Sequence, residues 1–97
     1  MLRYIAPFPV SRSETVQESV RRSNEPQPAL GAAIRELREK SGRTQEALAQ
    51  GAGITVAHLS GIERGYANPK WSTVERIADA LGVSLFELVK LTDKKRK

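Results

Sequence analysis

The sequence predicts an all-α fold of five short helices between Leu30 and Leu91, and three observations lead to this prediction. Apolar residues recur every three or four positions from Leu30 onward, which is the period of a helix with one buried face. Helix-capping residues precede these segments and glycines follow them. No segment shows the alternation of apolar and polar residues that is typical of a half-buried strand.

The first two predicted helices are separated by a short turn. The first spans residues 30–40 and ends at Ser41-Gly42. Thr44 carries the hydroxyl group of an N-cap, so the second helix begins at Gln45 and ends in the segment 51–53, which contains two glycines.

Three more helices are predicted downstream. Thr55 is the N-cap of a third helix over residues 56–64, which ends at Gly65. The fourth and fifth helices each open with a capping box, in which a Ser side chain and a Glu three residues later satisfy each other's backbone amides. The two boxes are Ser72-Thr73-Val74-Glu75 and Ser84-Leu85-Phe86-Glu87, and Gly82 ends the fourth helix.

Composition restricts the chemistry of this chain of 97 residues, which has room for one small domain. It contains no Cys and a single His, so we expect no disulfide, metal site or cofactor. No apolar run approaches the roughly 20 residues of a membrane span, and prolines interrupt the N-terminal apolar segment, so we expect a cytoplasmic protein. No nucleophile–base pair or phosphate-cradling glycine loop is visible, so we expect no enzyme activity.

The charge is unevenly distributed, and it divides the chain into three predicted segments. The formal net charge is +5, but residues 29–91 carry eight basic and seven acidic side chains. Residues 92–97 form a basic tail with four basic side chains and one acidic one. Residues 1–28 contain four of the five prolines and no sustained period, which predicts a disordered arm. The arm's apolar residues Tyr4, Ile5, Phe8 and Val10 leave open a docking segment for a protein partner.

The spacing across residues 45–64 predicts a helix-turn-helix. Two short helices cross steeply only where a small residue lies at their closest approach and the turn residue tolerates positive φ. Ala49 and Gly53 fill these two places. The predicted apolar seam between the helices consists of Leu48, Ala52, Leu59 and Ile62.

These residues resemble the Cro and phage-repressor type, or xenobiotic-response-element type, of helix-turn-helix regulators. The resemblance covers residues 30–91 and includes Thr44-Gln45-Glu46-Ala47-Leu48-Ala49, Leu59-Ser60-Gly61-Ile62-Glu63-Arg64-Gly65 and Asn68-Pro69. It implies a five-helix, lambda-repressor-like fold that binds double-stranded DNA at directed sequences, often as a dimer. It also implies transcription regulation, most simply repression, with the third helix in the major groove.

The resemblance assigns roles to individual residues. It implies that Gln45 binds a phosphate and that Arg38 and Glu63 form a structural ion pair. The other positions that touch the DNA backbone in such proteins are Thr55, His58, Arg64 and Asn68. The positions that face the bases are Val56, Ala57 and Gly61.

The three base-facing residues depart from the usual pattern. None of them can form the bidentate hydrogen bonds with which Arg, Lys, Asn or Gln read purines. Readout would then rely on thymine methyl groups, bridging water or DNA shape, or the domain binds DNA weakly and recognises a protein. An antitoxin-like adaptor that uses the arm of residues 1–28 is therefore the alternative function.

Two further apolar features are predicted outside the helix-turn-helix. Trp71 stands where an apolar residue opens the fourth helix, so we expect it to pack in the core. The fifth helix has more apolar residues than one face needs, and the excess either caps the core or forms a homodimer seam. The residues proposed for this seam are Leu85, Phe86, Val89 and Leu91.

Overall fold

A computed structural model describes residues 25–97, and five α-helices account for most of this part of the chain. The helices are α1 (Pro28–Lys40), α2 (Gln45–Ala52), α3 (Val56–Glu63), α4 (Trp71–Leu81) and α5 (Leu85–Lys95). Residues 25–97 contain no strand, so the all-α prediction is confirmed. The predicted arm lies outside the described residues except for residues 25–28.

Helix α1 begins two residues earlier than predicted, because Pro28 belongs to the helix and not to the arm. Pro28 occupies the first turn. There its fixed φ suits the helix. Its lack of an N–H group costs nothing, because the N–H groups of the first turn have no intrahelical acceptor.

Side chains cap three of the five helices as predicted. Thr44 Oγ1 accepts a hydrogen bond from Ala47 N at 3.0 Å, and Thr55 Oγ1 accepts one from His58 N at 3.0 Å. Before α5, Ser84 and Glu87 form the predicted capping box in both directions, at 3.0 and 3.1 Å.

The capping box predicted at residues 72–75 is wrong. Helix α4 begins at Trp71, with Lys70 as its N-cap and no side-chain hydrogen bond at this end. Val74 N donates to Lys70 O at 3.1 Å, so the backbone hydrogen bonds of the helix begin at Lys70. Ser72 therefore lies inside the helix and is not its N-cap.

The core is formed where α1 packs on α3 and on α5, and where α2 packs on α4. Its buried apolar side chains come from every helix. They are Ala33, Ile34, Leu48, Ala49, Ala52, Leu59, Ile62, Val74, Ile77, Ala78, Leu81 and Leu88.

Helix α1 lies directly against the carboxyl end of α3 at Gly31. A Cβ atom added to Gly31 would lie 2.0 Å from the carbonyl oxygen of Ile62 and 3.0 Å from that of Glu63. These neighbours are backbone atoms, so they cannot move aside as a flexible side chain could. The approach of the two helices therefore requires glycine at this position, which the sequence pattern did not reveal.

Helix α5 continues to Lys95, so the predicted basic tail of residues 92–97 is largely helical. Lys95 forms an ion pair with Glu36 of α1, and Lys40 lies 3.3 Å from the same carboxylate. Hydrogen bonds from Lys95 and Lys40 lower the pKa of Glu36 below its ordinary value. The end of α5 is thus attached to α1.

None of the helices in residues 25–97 is long and apolar enough to cross a membrane.

Candidate nucleic-acid interface

Helices α2 and α3 form a compact two-helix unit around Gly53. Gly53 has φ 71° and ψ 33°, a left-handed conformation that other residues adopt only with strain. Ile54 N donates to Ala49 O at 3.0 Å across the turn, and Ala49 is 1% exposed. The small side chain of Ala49 and the glycine together allow α2 and α3 to be joined by a short turn.

The seam between the two helices is fully apolar. Leu48, Ala52, Leu59 and Ile62 are each at most 1% exposed. The apolar side of α3 is therefore held against α2 and the core, which leaves the opposite side of α3 for solvent or a ligand.

The outward side of α3 carries most of the predicted DNA-contacting residues. Val56, Ala57, His58 and Arg64 are exposed, and Gly61 is half-buried. At 3.6 residues per turn, Ala57, Gly61 and Arg64 share one face. Thr55 lies at the start of the helix as its cap, and Asn68 lies half-buried in the loop after it.

Gly61 lies in open space, in contrast to Gly31. A Cβ atom added to Gly61 would meet no atom within 4 Å, and its φ is not positive. A glycine within a helix lowers stability by about 1 kcal/mol relative to alanine. Neither packing nor backbone conformation requires Gly61.

Arg38 and Glu63 form the predicted ion pair, and it is buried. Arg38 Nε lies 2.7 Å from Glu63 Oε2, and Nη2 lies 3.0 Å from Oε1. The side chains are 12% and 2% exposed. Arg38 Nη1 also donates to Arg43 O at 2.9 Å. The hydrogen bonds to Glu63 raise the pKa of Arg38, so the guanidinium stays charged.

Gln45 joins this network, which sequence reasoning missed. Its Nε2 donates to Glu63 Oε1 at 2.9 Å, and the side chain is half-buried. Glu63 therefore connects α1, α2 and the end of α3. The predicted phosphate contact of Gln45 would have to compete with this hydrogen bond or use the amide oxygen.

Aromatic side chains lie exposed around the loop between α3 and α4. The guanidinium carbon of Arg64 lies 5.2 Å from the centre of the Tyr66 ring, within the range of a cation–π contact. Trp71 is 59% exposed, so the prediction that it packs in the core is wrong. The reason is its position on α4, whose buried face is already filled by Thr73, Val74, Ile77, Ala78 and Leu81.

The four residues predicted for a homodimer seam divide between two environments. Phe86 and Val89 are 72% and 44% exposed. Leu85 and Leu91 are half-buried and pack against the core. Only the first pair presents an exposed apolar surface on α5.

The chain matches a protein family and several relatives. A family described as a helix-turn-helix domain matches residues 29–91. An uncharacterized helix-turn-helix-type transcriptional regulator of Sinorhizobium fredii is 42% identical over 64 residues, which make up 66% of this chain and 83% of that protein. The immunity repressor of Bacillus phage phi105 is 37% identical over 60 residues, which make up 62% of this chain and 42% of the repressor.

Solved structures show the same architecture. The clp gene regulator ClgR of Corynebacterium glutamicum superposes with a TM-score of 0.71 at 28% identity, over 73% of this chain and 92% of that one. The restriction-modification controller protein C.AhdI of Aeromonas hydrophila gives a TM-score of 0.62 at 34% identity, over 64% and 94% of the two chains.

Fold and site thus define a helix-turn-helix protein with an outward-facing α3. The chain belongs to the helix-turn-helix family of Cro and phage-repressor-type transcription regulators. The described residues include no group of three or more His, Asp or Glu side chains placed to hold a metal ion.

Proposed function

We propose that this protein is a DNA-binding transcription regulator that places α3 in the major groove. One observation carries the proposal. Leu59 and Ile62 bury one side of α3 completely, and the opposite side of the helix is exposed. A helix presented in this way fits the width of the major groove. The phi105 relative is named a repressor, and we propose repression as the sense of regulation here.

Contacts with the DNA backbone are proposed at both ends of this unit. Arg64, the C-cap of α3, and His58, within α3, are exposed. The N-terminus of α2 offers the backbone N–H groups that favour phosphate at the start of a helix. Such contacts fix the orientation of the domain and contribute affinity for any sequence.

Arg64→Ala tests the backbone contact. We expect the wild-type affinity for duplex DNA to fall steeply as the salt concentration rises. Cationic side chains that bind phosphates release the counterions condensed on the DNA, and added salt opposes that release. The variant should bind all sequences more weakly, and its salt slope should be smaller by about 1. Fluorescence anisotropy of a labelled duplex across salt concentrations measures both quantities.

Arg35→Ala is the matched control, because Arg35 is an exposed arginine on α1. It should leave affinity and slope unchanged. A wild-type salt slope near zero would contradict the proposed function, and equal slopes for the wild type and Arg64→Ala would contradict the role of Arg64.

We propose that two copies pair through the exposed face of α5 that carries Phe86 and Val89. Phe86→Asp should convert a dimer to a monomer without loss of helix content. The side chain of Phe86 is 72% exposed in the single chain, so its packing contributes little to the fold. Sedimentation velocity and circular dichroism check both expectations. Lys94→Asp, an exposed change on the same helix, should remain dimeric. A monomeric wild type at tens of micromolar would contradict the pairing.

The adaptor hypothesis stays a prediction, because residues 1–24 of the arm on which it depends lie outside the described residues. Deleting residues 1–24 would release a co-purifying partner protein if that hypothesis holds.

A further inference from the structure

The face of α3 that points outward is small and apolar at its centre. Val56, the first residue of α3, is 37% exposed, and Ala57 is exposed beside it; Gly61 follows one turn after Ala57, on the same face as Ala57. None of these side chains can donate or accept a hydrogen bond. Ser60 is half-buried on the neighbouring face. Its hydroxyl group can form a hydrogen bond with a purine or a pyrimidine, so it does not distinguish between them.

Gly61 gives this face an unusual shape that folding does not explain. The position is open, and its backbone is that of an ordinary helix residue. A residue that weakens its own helix without a packing reason is expected to serve a functional contact. With no side chain at Gly61, the backbone of α3 can approach a ligand surface more closely than a helix with longer side chains could.

The major groove displays one apolar group, the 5-methyl group of thymine. We propose that α3 recognises thymine methyl groups, with Val56 and Ala57 as the contacting side chains and Gly61 as the clearance for close approach. This inference rests on the proposed function, because it names what that function reads. The preferred sites are therefore rich in A·T pairs at the positions that Val56 and Ala57 face.

Replacing thymine by deoxyuridine tests the methyl contact, since it removes the methyl group and keeps every hydrogen-bonding group. In a duplex selected from a random pool, we expect the affinity of the full chain to fall about fourfold for each methyl group that Val56 or Ala57 covers. Val56→Ala should lose this sensitivity at one thymine and keep it at the others. Thymines outside the selected site are the control and should be insensitive.

Gly61→Ala tests the clearance in the same assay. The variant should unfold at a higher temperature than the wild type and bind the selected duplex at least tenfold more weakly. A more stable variant with unchanged affinity would overturn the role of Gly61.

The outcomes separate this inference from the proposed function. A duplex that is selected and bound, but is insensitive to deoxyuridine at every position, overturns methyl recognition and leaves sequence-directed binding intact. A pool from which no sequence is enriched overturns the proposed function and this inference with it.

Discussion

Gly31→Ala should destabilise the protein by about 3 kcal/mol or more, which is a large share of the roughly 5 to 15 kcal/mol of a small domain. The added methyl group would lie 2.0 Å from the carbonyl oxygen of Ile62. Relief requires α1 to move away from α3, which opens the core around Ile34 and Ile62. Urea unfolding followed by circular dichroism measures the loss.

Gly61→Ala is the matched control for that experiment. It is the same substitution in another helix of the same chain, but its methyl group would meet no atom within 4 Å. It should stabilise the protein by up to about 1 kcal/mol through helix propensity. Equal stabilities of the two variants would contradict the close contact between α1 and α3 at Gly31.

Arg38→Met should cost about 3 to 5 kcal/mol, because it leaves the buried carboxylate of Glu63 without its charge partner. Glu63 has a side chain only 2% exposed, and the neutral amide of Gln45 also donates a hydrogen bond to it. The double variant Arg38→Met, Glu63→Leu should recover much of the loss, because it removes both buried charges. Thermal and urea unfolding of the three proteins measure these differences.

Arg35→Met is the control, because Arg35 pairs with Glu39 at the surface, with side chains 60% and 55% exposed. It should change stability by no more than about 0.5 kcal/mol. If Arg38→Met cost no more than Arg35→Met, the buried pair would not hold the three helices together.

Features that depend on neighbouring residues in the chain were predictable from the sequence. Thr44, Thr55 and Ser84 cap their helices because the hydroxyl group and the amide that it accepts from lie three residues apart. The helix-turn-helix is equally local, since its small residue and turn glycine are four positions apart.

Features that depend on tertiary contacts were not predictable in this way. The need for glycine at position 31 arises from the carbonyl oxygen of Ile62, which is distant in sequence. The hydrogen bond of Gln45 to Glu63 joins residues 18 positions apart and changes the expected role of Gln45. Trp71 was placed in the core by its residue type, although the buried face of α4 has no room for it.

Selection of bound duplexes from a random pool tests most directly the central claim that α3 reads DNA sequence. We expect enrichment of one site with A·T pairs in each of two half-sites, their centres about one helical turn apart, roughly 34 Å. Recovery of all sequences in equal proportion would contradict sequence-directed binding by this helix.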